Sequence, residues 1–116
     1  MMTFEETPKI FELKIENNQA DFRVYLPENL LVFQGHFPLE PILPGVAQIH
    51  WSIKWGRQFF NIGNGFLGME QVKFHMPAKP GDHLNGFLDW NPEKSQLSFR
   101  YTLAGKVVSS GRIRIS

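Results

Sequence analysis

The sequence predicts an α+β domain in which one long helix lies against an antiparallel sheet. Two observations carry this: apolar and polar residues alternate with period two on both sides of the chain's middle, and a single proline-led run of helical spacing separates those halves. The strands are joined largely by turns of hairpin length, which favours antiparallel neighbours. Residues 9–16, KIFELKIE, set Phe11, Leu13 and Ile15 against Glu12, Lys14 and Glu16, the pattern of a half-buried strand. Asn17 and Asn18 are turn formers, and beyond them Phe22, Val24 and Leu26 alternate with Asp21, Arg23 and Tyr25. The two runs read as a hairpin. Pro27 ends it, and with Pro38, Pro41 and Pro44 following, the segment up to residue 43 is expected to be an ordered loop or a short helical turn.

From Pro44 to about Phe60 the chain reads PGVAQIHWSIKWGRQFF, with proline only at the start, where a helix tolerates it. Val46, Ile49, Ile53, Trp55 and Phe59, with Trp51 and Phe60, cover much of the circumference, so the helix is expected to be buried on several sides. Gly56 opposes it by about 1 kcal/mol relative to Ala, and Asn61, Gly63, Asn64 and Gly65 stop it. Phe66 to Phe74 is extended, 77–82 (PAKPGD) is a turn, and 84–90 is a strand with Leu84, Leu88 and Trp90 on one face. Leu97, Phe99, Tyr101 and Leu103 mark the next strand; Val107, Ser109, Gly111, Ile113 and Ile115 share one phase of the last. No repeat or linker interrupts residues 1–116, which read as a single domain with about six strands.

Composition removes several function classes. The chain has 116 residues, 12 Lys plus Arg against 11 Asp plus Glu, and a formal charge of +1, without the concentrated basic face that nucleic acid demands. With zero cysteines it has no disulfide, thiolate metal site, iron–sulfur cluster or cysteine nucleophile. The acidic start, MMTFEETPKIF, is not a secretion signal, and no apolar run has membrane-spanning length, so a cytoplasmic protein is expected. A domain this short buries only about two-thirds of its unfolded surface, which makes a dimer a natural expectation.

Few residues offer chemistry. Gly63, Gly65 and Gly68 spell GxGxxG, but after a helix and before a strand, the reverse of a dinucleotide-binding site. His36, His50, His75 and His83 show no metal-ligand spacing, so no metal is expected; His75 and His83 read as solvent-facing or structural. His36 stands in QGHFPLEPILPG, a loop stiffened by glycine and proline that leads into the helix. Gly45 falls in the helix's first turn, where N–H groups lack intrahelical partners and the dipole is positive, so an oxyanion can dock beside a base. His50 follows five residues later; its surroundings also fit a hydrogen-bonded core histidine.

GHFPLEPILPGVAQ (35–48) resembles the signature loop and helix start of bacterial 3-hydroxyacyl-acyl-carrier-protein dehydratases. VKFHMPAKPGDHL (72–84) and GKVVSSGRIRI (105–115) are similar to that family's later FxxPxxPGDxL segment and final strand, so the resemblance spans nearly the whole chain. ILPGVAQIHW is most similar to the ApeI-like branch, the small dehydratases of aryl polyene synthesis. The resemblance implies a hotdog fold, an antiparallel sheet of five to six strands wrapped around one central helix, and dehydration of 3-hydroxyacyl thioesters to trans-2-enoyl thioesters. It implies a substrate carried on the phosphopantetheine of acyl carrier protein and no further cofactor. It also implies a homodimer whose site joins the loop histidine of one subunit to a helix residue of the other, with a higher oligomer or a heterodimer with another hotdog protein left open.

The family's loop histidine maps onto His36. Its acidic helix residue, five after the glycine, maps onto His50, where this chain departs from the fatty acid enzymes and resembles the ApeI-like branch. The implied division of labour makes His36 the general base, the Gly45 N–H the oxyanion donor and His50 the proton donor or hydroxyl orienter, with Pro44, Val46 and Phe37 beside them binding substrate. Phe33, Phe37, Trp51, Trp55, Phe59 and Phe66 are candidates for an acyl tunnel, and Lys54, Arg57, Lys73 and Lys79 for the landing patch of the acidic carrier. Two rivals stand beside this reading: a hotdog thioesterase, which needs a group to activate water, and a non-catalytic hotdog subunit, which the histidine at position 50 favours.

Overall fold

The computed structural model describes residues 4–35 and 40–116. Strands β1 (Ile10–Glu16) and β2 (Gln19–Tyr25) form the expected hairpin, and a short 3-10 turn (Leu31–Phe33) follows. Helix α1 (Gly45–Phe59) then leads to β3 (Phe66–Phe74), β4 (His83–Asn91), β5 (Gln96–Leu103) and β6 (Lys106–Ile115). The strands make one antiparallel sheet in the order β1-β2-β4-β5-β6-β3. That order forces the helix onto the sheet. The chain leaves β2 near one edge and enters β3 at the other, so α1, about 22 Å long at 1.5 Å per residue, lies on the inner face.

Burial follows the alternation where the ladder is regular. In β2 the buried residues are Ala20, Phe22 and Val24, and in β4 they are Leu84, Gly86, Leu88 and Trp90. The Phe22 ring meets Trp55 edge-on with centroids 5.3 Å apart and Phe59 at 5.7 Å, joining sheet and helix into one core. Gly56 has a local purpose: a Cβ there would come within 2.7 Å of Leu97 Cδ2, so the glycine lets α1 approach β5 closely.

Three expectations are corrected. First, β1 is an exposed edge strand: Phe11, Leu13 and Ile15 are 50%, 44% and 46% exposed. A bulge between Phe11 and Lys14, with Glu12 at φ 53°, breaks the alternation, so Phe11 stands opposite outward Arg23 and Ile15 opposite buried Ala20. Second, the burial of α1 is concentrated on one side rather than several. Ala47, Gln48, Trp51, Ser52, Trp55 and Gly56 are buried, Ile49, Ile53 and Phe59 are half-buried, and Val46 is 74% exposed. Third, β6 changes phase at an irregularity opposite Tyr101 and Thr102: Val108 and Ser109 are both buried while Val107 is exposed.

Candidate active site

The first turn of α1 is held from outside the helix. Pro44 is its N-cap, with no side-chain capping bond, and the first-turn donors Ala47 and Gln48 both reach the Pro44 carbonyl, at 3.2 and 3.4 Å. The N–H groups of Gly45 and Val46 precede that ladder and lack intrahelical acceptors. No acidic side chain stands in the turn itself, so none of its residues neutralises the positive end of the helix dipole.

The turn between β3 and β4 anchors this end of the helix. Leu43 N–H donates to the Ala78 carbonyl at 2.7 Å, Gly81 N–H to the Leu26 carbonyl at 2.6 Å, and Leu26 N–H to the Asp82 carbonyl at 3.0 Å. Asp82 Oδ2 accepts from Lys79 N–H at 2.8 Å and closes the turn. The two sequence blocks that carry the resemblance are thus neighbours in space. The Phe74 ring lies against Gly45, where a Cβ would fall 2.5 Å from Cζ, so glycine lets the strand's aromatic sit on the helix start without moving.

His50 is exposed, which corrects its reading as a core histidine. It lies one turn beyond Val46 and one before Lys54, on the outward stripe of α1, and about 7.5 Å along the axis from Gly45. None of the hydrogen bonds or ion pairs among the described residues uses its imidazole.

The opposite face carries a polar chain that sequence reasoning missed. Ser52 Oγ donates to the Gln48 carbonyl at 2.7 Å and shares a 2.6 Å hydrogen bond with the Tyr101 hydroxyl; Ser109 Oγ donates to Gln48 Oε1 at 2.5 Å. All four residues are buried, and no buried side-chain nitrogen or oxygen among the described residues lacks a partner. Burial pushes the Tyr101 phenol well above its ordinary value, against the smaller opposing effect of Ser52. The chain bolts α1 to β5 and β6 and fixes its rotation, which turns His50 outward. Two uncharged polar residues four apart, Gln48 and Ser52, on either side of Trp51 in a helix of aromatics, were the available signal.

His36 and Phe37 lie outside the described residues, and the residues on either side of that gap make local contacts. Gln34 Nε2 donates to the carbonyls of Glu28 (2.8 Å) and Leu30 (3.0 Å), Gly35 adopts φ +129°, and Glu40 pairs with Lys79 at 3.3 Å. Of the proposed tunnel residues, Phe33, Trp51 and Trp55 are core, Phe59 is half-buried, and Phe66 is 54% exposed on the edge strand. Arg57 binds the carbonyls of Gly63 and Asn64, Lys54 binds Thr7 Oγ1, and Lys79 holds Glu40, so three of the four suggested landing cations have local partners. His75 and His83 are exposed, His83 stacking on Tyr25 at 4.7 Å, and no cluster of metal-binding side chains occurs among the described residues.

Residues 12–112 match the ApeI-like family model, described as ApeI dehydratase. The chain belongs to the ApeI-like dehydratase family. The ApeI:P dehydratase heterocomplex of Xenorhabdus doucetiae superposes with a TM-score of 0.87 at 35% identity, covering 94% of this chain and 97% of that one. The 3-hydroxyacyl-[acyl-carrier-protein] dehydratase FabZ of Clostridium beijerinckii is 34% identical over 117 residues, covering 90% of this chain and 82% of the relative. That of Syntrophobacter fumaroxidans is 42% identical over 60 residues, 45% of this chain, and the chain spans about two-fifths (41%) of its length. This ApeI-like chain has the hotdog fold, and no helix among its described residues is long and apolar enough to cross a membrane.

Proposed function

We propose that this ApeI-like protein dehydrates 3-hydroxyacyl thioesters, delivered on an acyl carrier protein, to trans-2-enoyl thioesters. The observation that carries the proposal is the first turn of α1, where the N–H groups of Gly45 and Val46 have no acceptor among the described residues and a solvent-facing imidazole, His50, stands one turn further on. His36 removes a C2 proton, the Gly45 N–H stabilises the charge that develops on the thioester oxygen, and His50 protonates or orients the leaving C3 hydroxyl. Water is the leaving group. The thioester stays intact and no electrons are exchanged, so no cofactor beyond the carrier's phosphopantetheine is required. Pro44, Val46 and Phe37 flank the reacting carbons.

The exposed apolar surface around this turn supports a site completed by a second hotdog chain. Ile42 is 45% exposed, Val46 74% and Phe74 50%, and edge strand β3 adds Phe66, Leu67 and Met69 at 54%, 60% and 49%. A homodimer is the assembly we favour. The aryl polyene pathway, which the resemblance implies, and a cytoplasmic location, expected from the acidic start and the absence of a membrane-length apolar run, belong to the proposal.

The test is to incubate the purified protein with a 3-hydroxyacyl carrier-protein thioester and follow the product by mass. Loss of water supports the proposal; free acid would make the protein a thioesterase, and no change in any oligomeric state would make it a non-catalytic subunit. With two histidines required in opposite protonation states, the rate should be bell-shaped in pH. A monotonic rise toward alkaline pH would leave His50 an orienting role only.

A further inference from the structure

We infer that the outer face of β5, β6 and β3 is the docking surface for the acidic carrier that presents the substrate. The inference rests on the function proposed above and names the surface its partner uses. Strand register places Lys73 beside Ser110 and Ser110 beside Arg100, a row across three strands. The next rows set Glu70, Arg112 and Ser98 side by side, then Arg114 beside Gln96. Lys73, Arg100, Arg112 and Arg114 are all exposed, and neither ion pair among the described residues involves any of them. In a chain of net charge +1, β5, β6 and β3 set four cations on this face against the carboxylate of Glu70, with Asp89 of β4 beside Ser98 and Glu93 near Arg114 at its border.

The surface is shaped as well as charged. Arg100 is held over the Phe87 ring at 5.6 Å, while small Ser98 and Ser110 leave a depression of about 300 Å³ bordered by Arg100, Arg112 and Gln71. Gln71 reaches it because a bulge in β3, with φ 52° at that residue, inserts an extra position between Glu70 and Lys73. Two guanidiniums, two hydroxyls and an amide around a shallow bowl suit the carboxylates of an acidic helix, which guanidinium binds in bidentate geometry. The bowl is also close to the chemistry. Lys73 faces outward while its neighbour Phe74 lies against Gly45, and two strand spacings, about 10 Å, separate the Lys73 and Arg100 positions. This face replaces the Lys54, Arg57 and Lys79 patch, whose cations are committed locally.

The experiment compares Arg100→Glu/Arg112→Glu with wild type on one 3-hydroxyacyl group presented two ways, on acyl carrier protein and on free pantetheine. The ratio of kcat/KM for carrier over pantetheine substrate should fall about tenfold or more, through KM, and the wild-type ratio should drop steeply with added salt. Arg100→Gln/Arg112→Gln, a milder change, guards against misfolding and should lower the ratio less. An unchanged ratio in both variants would overturn the inference while leaving the dehydratase reading standing. Failure of wild type to dehydrate either substrate would sink that reading itself. Preferential loss of binding to anionic lipid vesicles, with the carrier ratio intact, would assign the face to a membrane instead and overturn the proposal.

Discussion

The two sides of α1 follow different rules. Its inner side packs Trp51 and Trp55 and satisfies Gln48 and Ser52 through partners on β5 and β6, whereas its outer stripe presents Val46, His50 and Lys54 to solvent. One side fixes where the helix is and how it is rotated; the other is left free for the chemistry proposed for it. The lesson is that the residues deciding the helix's rotation and the exposed His50 sit on opposite sides of one helix.

Changes on the outer stripe should damage rate without damaging the fold. His50→Ala is expected to slow dehydration by about 10²- to 10⁴-fold while unfolding free energy stays within about 0.5 kcal/mol of wild type; a comparable loss of both would erase the distinction. His36→Ala should behave likewise in a turnover assay. The inner side should do the reverse. Trp55→Ala, which empties the space between Phe22 and Tyr101, is expected to cost about 3–5 kcal/mol in denaturant unfolding.

A finer cut comes from the polar chain. Gln48→Leu strands the buried Ser109 hydroxyl and should cost about 1–3 kcal/mol; the paired Gln48→Leu/Ser109→Ala should recover part of it, measured as a double-mutant cycle. The smallest effect belongs to Tyr101. Its folded pKa is raised, so the stability of the neutral phenol is present below the ordinary value of about 10 and is lost as pH climbs above it. Tyr101→Phe should cost about 1 kcal/mol near neutrality and flatten the alkaline fall in thermal midpoint.

Strand and helix positions were legible because period two and the proline-led run are local signals. The bulges were not. Glu12 and Gln71 hold positive φ without the glycine or asparagine that ordinarily announces it, so the faces of β1 and β3 were misread or left open. His36, Gly45 and His50 stood out by residue type and spacing, yet the exposure of His50 was hidden, since apolar residues run round most of α1 and periodicity alone does not say which side the sheet covers. The basic outer face escaped composition altogether: a balanced total charge conceals how the strands sort it.

The clamp from Ala78 to Leu43 has a consequence for the order of assembly. The helix start takes its anchor from a turn made much later in the chain, and Ser109, which sets the helix's rotation, arrives later still. A nascent chain emerging from the ribosome therefore carries the whole of α1 long before the partners that hold it exist, and the helix takes its final rotation only when the last strand closes the sheet.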